Sequence, residues 1–392
     1  MRDPAVIYAS FDTFPSPKGA ATHIGAFVKV LGEVYDNVDL VTLPGVQGIE
    51  VPEIAGVRHH PLPAIGENVI TRALAYRSEL ARWWGKKRAS IVHVRSIFEG
   101  YPLAVRKHMV CDRFVFEVNG LPSIELKYHY PEVDNDDVLL RKLRYQEQVC
   151  LEAADLVITV SEVNAAHLRS RGISAEKIRV IPNGVDTSLF HWQEPKRLTD
   201  RLFRVLYTGT MSRWQGVHLA IEAVQLLRRD YPAELFLAGP CRPKERKALF
   251  RTIDRLGMAP HVNMLGPLSK TDLVELLHTS HAVLAPLPPN DRNLEQGCCP
   301  LKVLEAMAAG GPLVASDLPV VSALVEPEQE ALLVRPGSAK AIKDGLLRLR
   351  EDSELGVRLS KAARVRVERD FTWQIAGKSL LSCYRDLLEA KV

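Results

Sequence analysis

No uninterrupted apolar run of about 18 residues, the length a helix needs to cross a bilayer, occurs in this 392-residue sequence. A membrane-spanning chain is therefore not expected. The opening MRDPAVIYAS places charges ahead of a short strand-like segment and does not read as a signal peptide. Cysteine is sparse. The six residues Cys111, Cys150, Cys241, Cys298, Cys299 and Cys383 form no CxxC pair and no His/Cys ligand spacing. That argues against a zinc site or a disulfide framework and for a reducing, cytoplasmic setting. No G-x-G-x-x-G follows a strand with an acidic partner at the right distance, which disfavours a dinucleotide dehydrogenase. The net charge of +4 is small for the length, so no nucleic-acid partner is implied. Short-period repeats and low-complexity tracts are absent too.

What is present is alternation. The chain is 46% hydrophobic and 25% charged, ordinary for a globular protein and too long for one typical domain. In the first half AVIYAS, VDLVTL, SIVHV, FVFEV, DLVITVS and IRVIPNGV read as short strands with helical stretches between them, one around Ala26 to Leu31. Ser161 is placed to cap a helix carrying Val163 to Leu168. A polar stretch, HWQEPKRLTDRL, then reads as a linker. Six further strand candidates follow: RVLYTG, ELFLAG, VNMLG, AVLAPL, GPLVAS and ALLV. Helices are expected at Val217 to Arg228 and Thr271 to Leu277, and a closing helix at Phe371 to Leu388. The predicted fold class is α/β, with two Rossmann-like domains facing across a cleft, since doubly wound sheets bind ligands beyond the carboxyl ends of their strands.

Three loops stand out on that rule. In FPSPKGAATHIGAF a strand runs into Gly19 and small residues ahead of a helix, either an approach for an anion or a plain tight turn. In RVLYTGTMSRWQGVHLAIEAV, Gly209 follows a strand and Gly216 opens a helix. Arg213 between them suits a diphosphate or is a solvated loop residue. In NLEQGCCPLKVLEAMAAGGPLVAS, Pro300 suits a first helical turn and Gly310 the position past the last. Gly297, Cys298 and Cys299 then lie ahead of the helix N-terminus, where backbone N–H groups are free. Lys302 and Glu305 share a face three residues apart, a spacing that serves a phosphate and a ribose or an ordinary surface ion pair. RSELARWWGKKR, Arg77 to Arg88, sets paired tryptophans beside basic residues. It is either a surface for an anionic membrane or a helix whose tryptophans face the core.

The segments PLKVLEAMAAGGPLVAS, YTGTMSRWQG, IPNGVDTSLF and FTWQIAGKSLLSCYRDLL together resemble the retaining glycosyltransferases of family four, which have the GT-B fold. The resemblance implies an acceptor domain over residues 1–192, a nucleotide-sugar domain over 193–371 and a tail helix, 372–392, crossing back to the first. It implies that Glu305 holds the ribose and that the Gly209 to Gly216 loop and the helix start near Cys298 meet the diphosphate. Gly266 to Leu268 would border the base, and Gly19 would face the phosphate from the acceptor side. No cofactor is implied beyond a UDP-, GDP- or ADP-linked sugar as donor substrate; the acceptor would be a sugar, a lipid-linked or a small molecule.

This sequence departs from the family in three places. Thr210 and Gln215 stand where a phosphate-binding Arg and Lys are common, and Gly297 where a glutamate is. A sub-branch with WxG and PLKxxE carries its lysine in the second motif, so Lys302 is the expected replacement charge. Asn119, after FVFEV, stands where many relatives have a sugar-contacting histidine. With Glu117 and His23 it completes the candidate set for acceptor or sugar. Asp134 and Asp136 formally match a metal-binding DxD pair but follow Pro131 in a polar loop, the wrong setting for one. A non-catalytic GT-B partner protein and a sugar-nucleotide epimerase remain the alternatives.

Overall fold

The computed structural model describes residues 5–196 and 202–389, so the middle of the expected linker lies outside the described residues. The chain forms two compact units. The first comprises Met1–Pro182, Glu295–Cys298 and Trp373–Val392; the second comprises Asn183–Leu294 and Cys299–Thr372. Against the expected divisions after residues 192 and 371, the units part after Pro182 and after Thr372. Phe190 belongs with the second unit because its carbonyl accepts from Arg364 at 2.8 Å.

The first unit is built on β1 (Val6–Thr13), β2 (Val38–Leu43), β3 (Val57–Pro61), β4 (Ala89–Val94), β5 (Cys111–Val118), β6 (Leu156–Thr159) and β7 (Ile178–Val180). They form one sheet in the order β3-β2-β1-β4-β5-β6-β7, with every pair parallel. Helices cover both faces of such a sheet, so its strands are apolar on both sides, and the buried runs of β1, β4 and β5 show it. β3, VRHHP, is the strand that the sequence pattern does not reveal. As a part-exposed edge it needs no apolar run.

The second unit repeats the plan with β8 (Phe203–Thr208), β9 (Ala233–Ala238), β10 (Val262–Gly266), β11 (Ala282–Ala285), β12 (Leu313–Ser316) and β13 (Leu332–Val334). Their order is β10-β9-β8-β11-β12-β13, again all parallel. All six expected strands are present. The expected fold class, two Rossmann-like α/β units, is the observed one.

Helix limits shift modestly. The helix expected from Ala26 spans Gly19–Gly32, so Gly19 is not a loop residue but the first residue of a helix that no side chain caps. Ser161 caps Glu162–Ser170 by accepting from the Asn164 N–H at 3.2 Å. The closing helix, Trp373–Glu389, packs on the helix Gly19–Gly32 and buries Ala376, Leu380 and Tyr384 in the first unit's core. Among the described residues, no helix is long and apolar enough to cross a membrane.

Candidate active site

Each sheet reverses its winding once, between β1 and β4 in the first unit and between β8 and β11 in the second. A doubly wound sheet opens a crevice at that point, beyond its strands' carboxyl ends. Both crevices are lined by residues singled out above.

In the second unit the loop after β8 holds Gly209, Thr210, Arg213, Gln215 and Gly216. Gly209 has φ +114° and Gly216 φ +81°, a region that costs a side-chain-bearing residue strain. A β-carbon on Gly216 would lie 1.8 Å from the Pro286 carbonyl oxygen. The loop after β8 is thus pressed against the segment leaving β11. Asn290 ties the same two segments by donating to the Trp214 carbonyl at 3.2 Å, and the Arg292 guanidinium stacks on the Trp214 ring at 4.5 Å. Arg213 to Gln215 form a single 3-10 turn. The Thr210 carbonyl accepts from the Tyr207 hydroxyl at 2.8 Å.

Lys302 lies on the helix Leu301–Ala309, which Pro300 precedes and Gly310, at φ +91°, ends. Its side chain is buried, with the ammonium 4.2 Å from the centroid of the Tyr207 ring. A β-carbon on Gly209 would sit 3.1 Å from both Cε and Nζ of Lys302. The lysine therefore packs against the loop that follows β8, with its ammonium over an aromatic face. Glu305, one turn on, is half-buried. Burial raises its carboxyl above the ordinary range, while Lys270 and Lys302 pull the other way. Cys298 and Cys299 are buried and outside any disulfide, and Asn183 donates to the Cys299 carbonyl at 2.8 Å. Leu268 follows Gly266 at the end of β10 and is part-exposed.

Gly297 belongs with the first unit. It has φ +82°, and a β-carbon there would lie 2.6 Å from Ser161 Oγ and from the Asn164 nitrogen. No side chain fits at that place without rebuilding the segment.

In the first unit the crevice is organised by Glu117, near the end of β5 and fully buried. Its Oε1 lies 2.8 Å from His23 Nε2 and accepts from Arg95 Nε at 3.2 Å and from the Asn119 amide. Its Oε2 accepts from the Tyr8 hydroxyl at 2.8 Å and from His93 Nε2 at 2.9 Å. Burial alone would raise this carboxyl, but the His23 and Arg95 charges and the bonds from His23 and His93 hold it well below the ordinary range. Burial pushes His93 down, and its Nδ1 accepts from Tyr384 on the closing helix at 2.7 Å. Glu117 thus reaches the crevice through the groups it holds, chiefly the part-exposed Asn119.

Sequence reasoning missed His93, Arg95, Asp12 and Glu99. Arg95 bridges Glu117 and Asp12, the latter at 2.8 Å. Glu99 is buried and accepts from the backbone of Phe11, Arg95 and Ser96, with burial raising its carboxyl to about 7. These residues meet because β4 lies between β1 and β5, which no local pattern reveals.

Two other expectations resolve structurally. Trp84 is buried in the first unit's core and Trp83 packs between His60 and Lys87. Arg77 turns inward to the Ile97 and Phe98 carbonyls and Gln146, so the tryptophan pair is packed and not fully exposed. Asp136 caps the helix Asp137–Ala153 through the Leu139 N–H at 2.9 Å. Asp134 lies 3.5 Å from Lys127.

Residues 17–189 match the family model "Glycosyltransferase Family 4" and residues 190–366 the model "Glycosyl transferases group 1". Over 99% of the chain and 100% of the other, the structure superimposes on sucrose-phosphate synthase from Thermosynechococcus elongatus with a TM-score of 0.81 and 20% identity. The chain has the domain content and the fold of a GT-B glycosyltransferase. A second GT-B structure, HepE from Anabaena in complex with UDP-glucose, matches over 97% of this chain and 99% of its own, with a TM-score of 0.72 and 17% identity.

Among relatives by sequence, an MMP alpha-(1->4)-mannosyltransferase from Mycolicibacterium hassiacum is 30% identical over 61% of this chain and 56% of its own length. A glycogen synthase from Mycobacterium tuberculosis is 27% identical over 63% and 58%. This GT-B chain thus spans under three-fifths of the length of those two. The D-rhamnosyltransferase WbpZ from Pseudomonas aeruginosa is 25% identical over 80% of this chain and 81% of its own.

Proposed function

We propose that this protein is a retaining, metal-independent glycosyltransferase that moves a sugar from a nucleoside-diphosphate sugar to a hydroxyl acceptor in polysaccharide, glycolipid or related glycoconjugate synthesis. The observation that carries the reading is the buried Lys302 ammonium set against Gly209 at the second unit's crevice. A buried cation beside a glycine loop and a helix N-terminus is what a diphosphate requires. The structural neighbour HepE is seen with UDP-glucose, which favours the same class of donor here. Cysteines that form no disulfide among the described residues fit work in the reducing cytoplasm.

In this reading the diphosphate lies along the Gly209 to Gly216 backbone and the start of the Leu301–Ala309 helix. Glu305 accepts from the ribose hydroxyls. As the bond from the sugar's anomeric carbon to the diphosphate breaks, Lys302 and the helix N-terminus stabilise the charge gathering on the departing oxygen. That oxygen takes the proton of the incoming hydroxyl on the same face of the sugar, so configuration is kept without a carboxylate nucleophile. Within the first unit, His23 and Asn119 are the candidates for contact with an acceptor.

The test is release of UDP, GDP or ADP from matching sugar donors, with chelator present. Lys302→Ala and Glu305→Ala are each expected to lower turnover, Lys302→Ala by about 10²-fold or more, with the anomeric configuration of the product read by NMR. Unchanged rates sink the assignment. An isomerised donor points instead to an epimerase, and no nucleotide release with any donor to a non-catalytic partner.

A further inference from the structure

Asp12 lies near the end of β1, across the first unit's winding reversal from Arg95, which follows β4. One carboxylate oxygen, Oδ2, is fixed twice. It accepts from the fully buried Ser10 hydroxyl at 2.8 Å and from Arg95 Nη1 at 2.8 Å. The Asp12 N–H in turn donates to Ser10 Oγ at 3.2 Å. Arg95 is itself buried and bonded to Glu117 at 3.2 Å, so Asp12 is held by buried groups. Yet its side chain is 40% exposed, and no described residue bonds its other oxygen, Oδ1. A carboxylate locked on one side and open on the other is an unusual use of a buried arginine. A surface ion pair contributes little and needs no such support.

We propose that Asp12 is the acceptor-recognising residue of the first unit, with Oδ1 accepting hydrogen bonds from the hydroxyls of a neutral, polyhydroxylated acceptor such as a glycosyl group. The inference rests on the transferase reading above and adds the acceptor's class. An ionised carboxylate only accepts hydrogen bonds, so it selects hydroxyl donors and repels anions. The Arg95 charge that would draw a phosphate is committed to Glu117 and Asp12. The acceptor group at this crevice is therefore uncharged.

Wild type and Asp12→Asn are compared with octyl glucoside, octyl mannoside and methyl rhamnoside as acceptors, and with glucose 1-phosphate as the anionic counterpart. Nucleotide release is read for each donor, and UDP, GDP and ADP titrations and melting curves are run on both proteins. Asparagine keeps the size and the Ser10 and Arg95 contacts but loses the charge. At least one neutral glycoside should stimulate the wild type, and Asp12→Asn should raise its KM by about tenfold or more. The donor KM, nucleotide affinity and melting temperature should stay as in wild type. Stimulation by glucose 1-phosphate alone, or an acceptor KM indifferent to the substitution, overturns the assignment of Asp12. A donor KM or melting temperature that shifts with the acceptor KM overturns it too, by making the residue structural. No nucleotide release by the wild type from any donor is a different failure, that of the transferase reading itself.

Discussion

Glu117 shows what a single residue does in this molecule. Five side chains converge on its two oxygens, and it shares Arg95 with the part-exposed Asp12. Glu117→Gln is nearly isosteric but leaves the buried Arg95 guanidinium with half its compensating charge. Losing one partner of a buried pair costs about 3–5 kcal/mol, which denaturant unfolding at pH 7 should read. The pH dependence has a definite sign. Because the folded-state carboxyl is depressed, its contribution is fully present above the unfolded value of about 4.3 and fades as pH falls through the folded value. The gap between wild type and Glu117→Gln should therefore close below about pH 4 and stay constant between pH 6 and 8. A gap that widens in acid would mean that Glu117 is held neutral. Glu117 and Asn119 were singled out in the sequence because the family resemblance places a sugar-contacting residue where their strand ends. His93 and Arg95 were not, because their partners are set by strand order and lie 22 to 24 residues away or more.

At the scale of elements, the loop between β8 and the helix Val217–Leu227 depends on glycine for two separate reasons. Gly216 needs φ +81° and has no room for a β-carbon beside Pro286. Gly172 has a similar φ of +84° but open space around it. Gly172→Ala should cost only the left-handed strain of about 1–2 kcal/mol. Gly216→Ala must also push the loop off the segment leaving β11, which carries Asn290 and Arg292. It should melt lower than Gly172→Ala and bind UDP, GDP or ADP far more weakly in titration calorimetry. Equal melting temperatures with intact nucleotide affinity would show that the loop yields freely. Most elements here were readable because parallel strands and their helices carry strong apolar patterns. The exceptions have physical causes: β3 is a part-exposed edge with two histidines, and the helix at Gly19 opens on a lysine that supplies no side-chain cap. The Lys302–Glu305 spacing singled out the helix Leu301–Ala309 as a candidate. That Lys302 lies under Gly209 was not visible, since it depends on how the helix packs against β8.

At the scale of the whole chain, the order of folding units does not follow the order of sequence. The last helix, Trp373–Glu389, follows the second unit but completes the first. It seats Leu380 and Tyr384 in the core around β1 and β2, and Gly377 lets it approach Val30, where a β-carbon would stand 2.7 Å from Cγ2. Burying a leucine or tyrosine of this kind contributes about 1.5–3 kcal/mol each, against a total of about 5–15 kcal/mol for a typical folded domain. Removing residues 373–392 should therefore unfold or loosen the first unit while leaving the second intact. Limited proteolysis should then cut within residues 5–182 and spare 202–294. Tyr384→Phe, which loses only the hydroxyl bonded to His93, should cost about 1 kcal/mol and give no such cleavage. The contrast separates the helix's packing from its hydrogen bond. If the truncated chain resisted the protease as the full chain does, the helix would be an accessory to the first unit and the polar network around Glu117 would have to hold that core without it. The placement of His93 between Glu117 and Tyr384 argues the reverse: the closing helix keeps buried the same network that positions Asn119 and Asp12, so loss of the helix should abolish acceptor use even where nucleotide binding by the second unit survives.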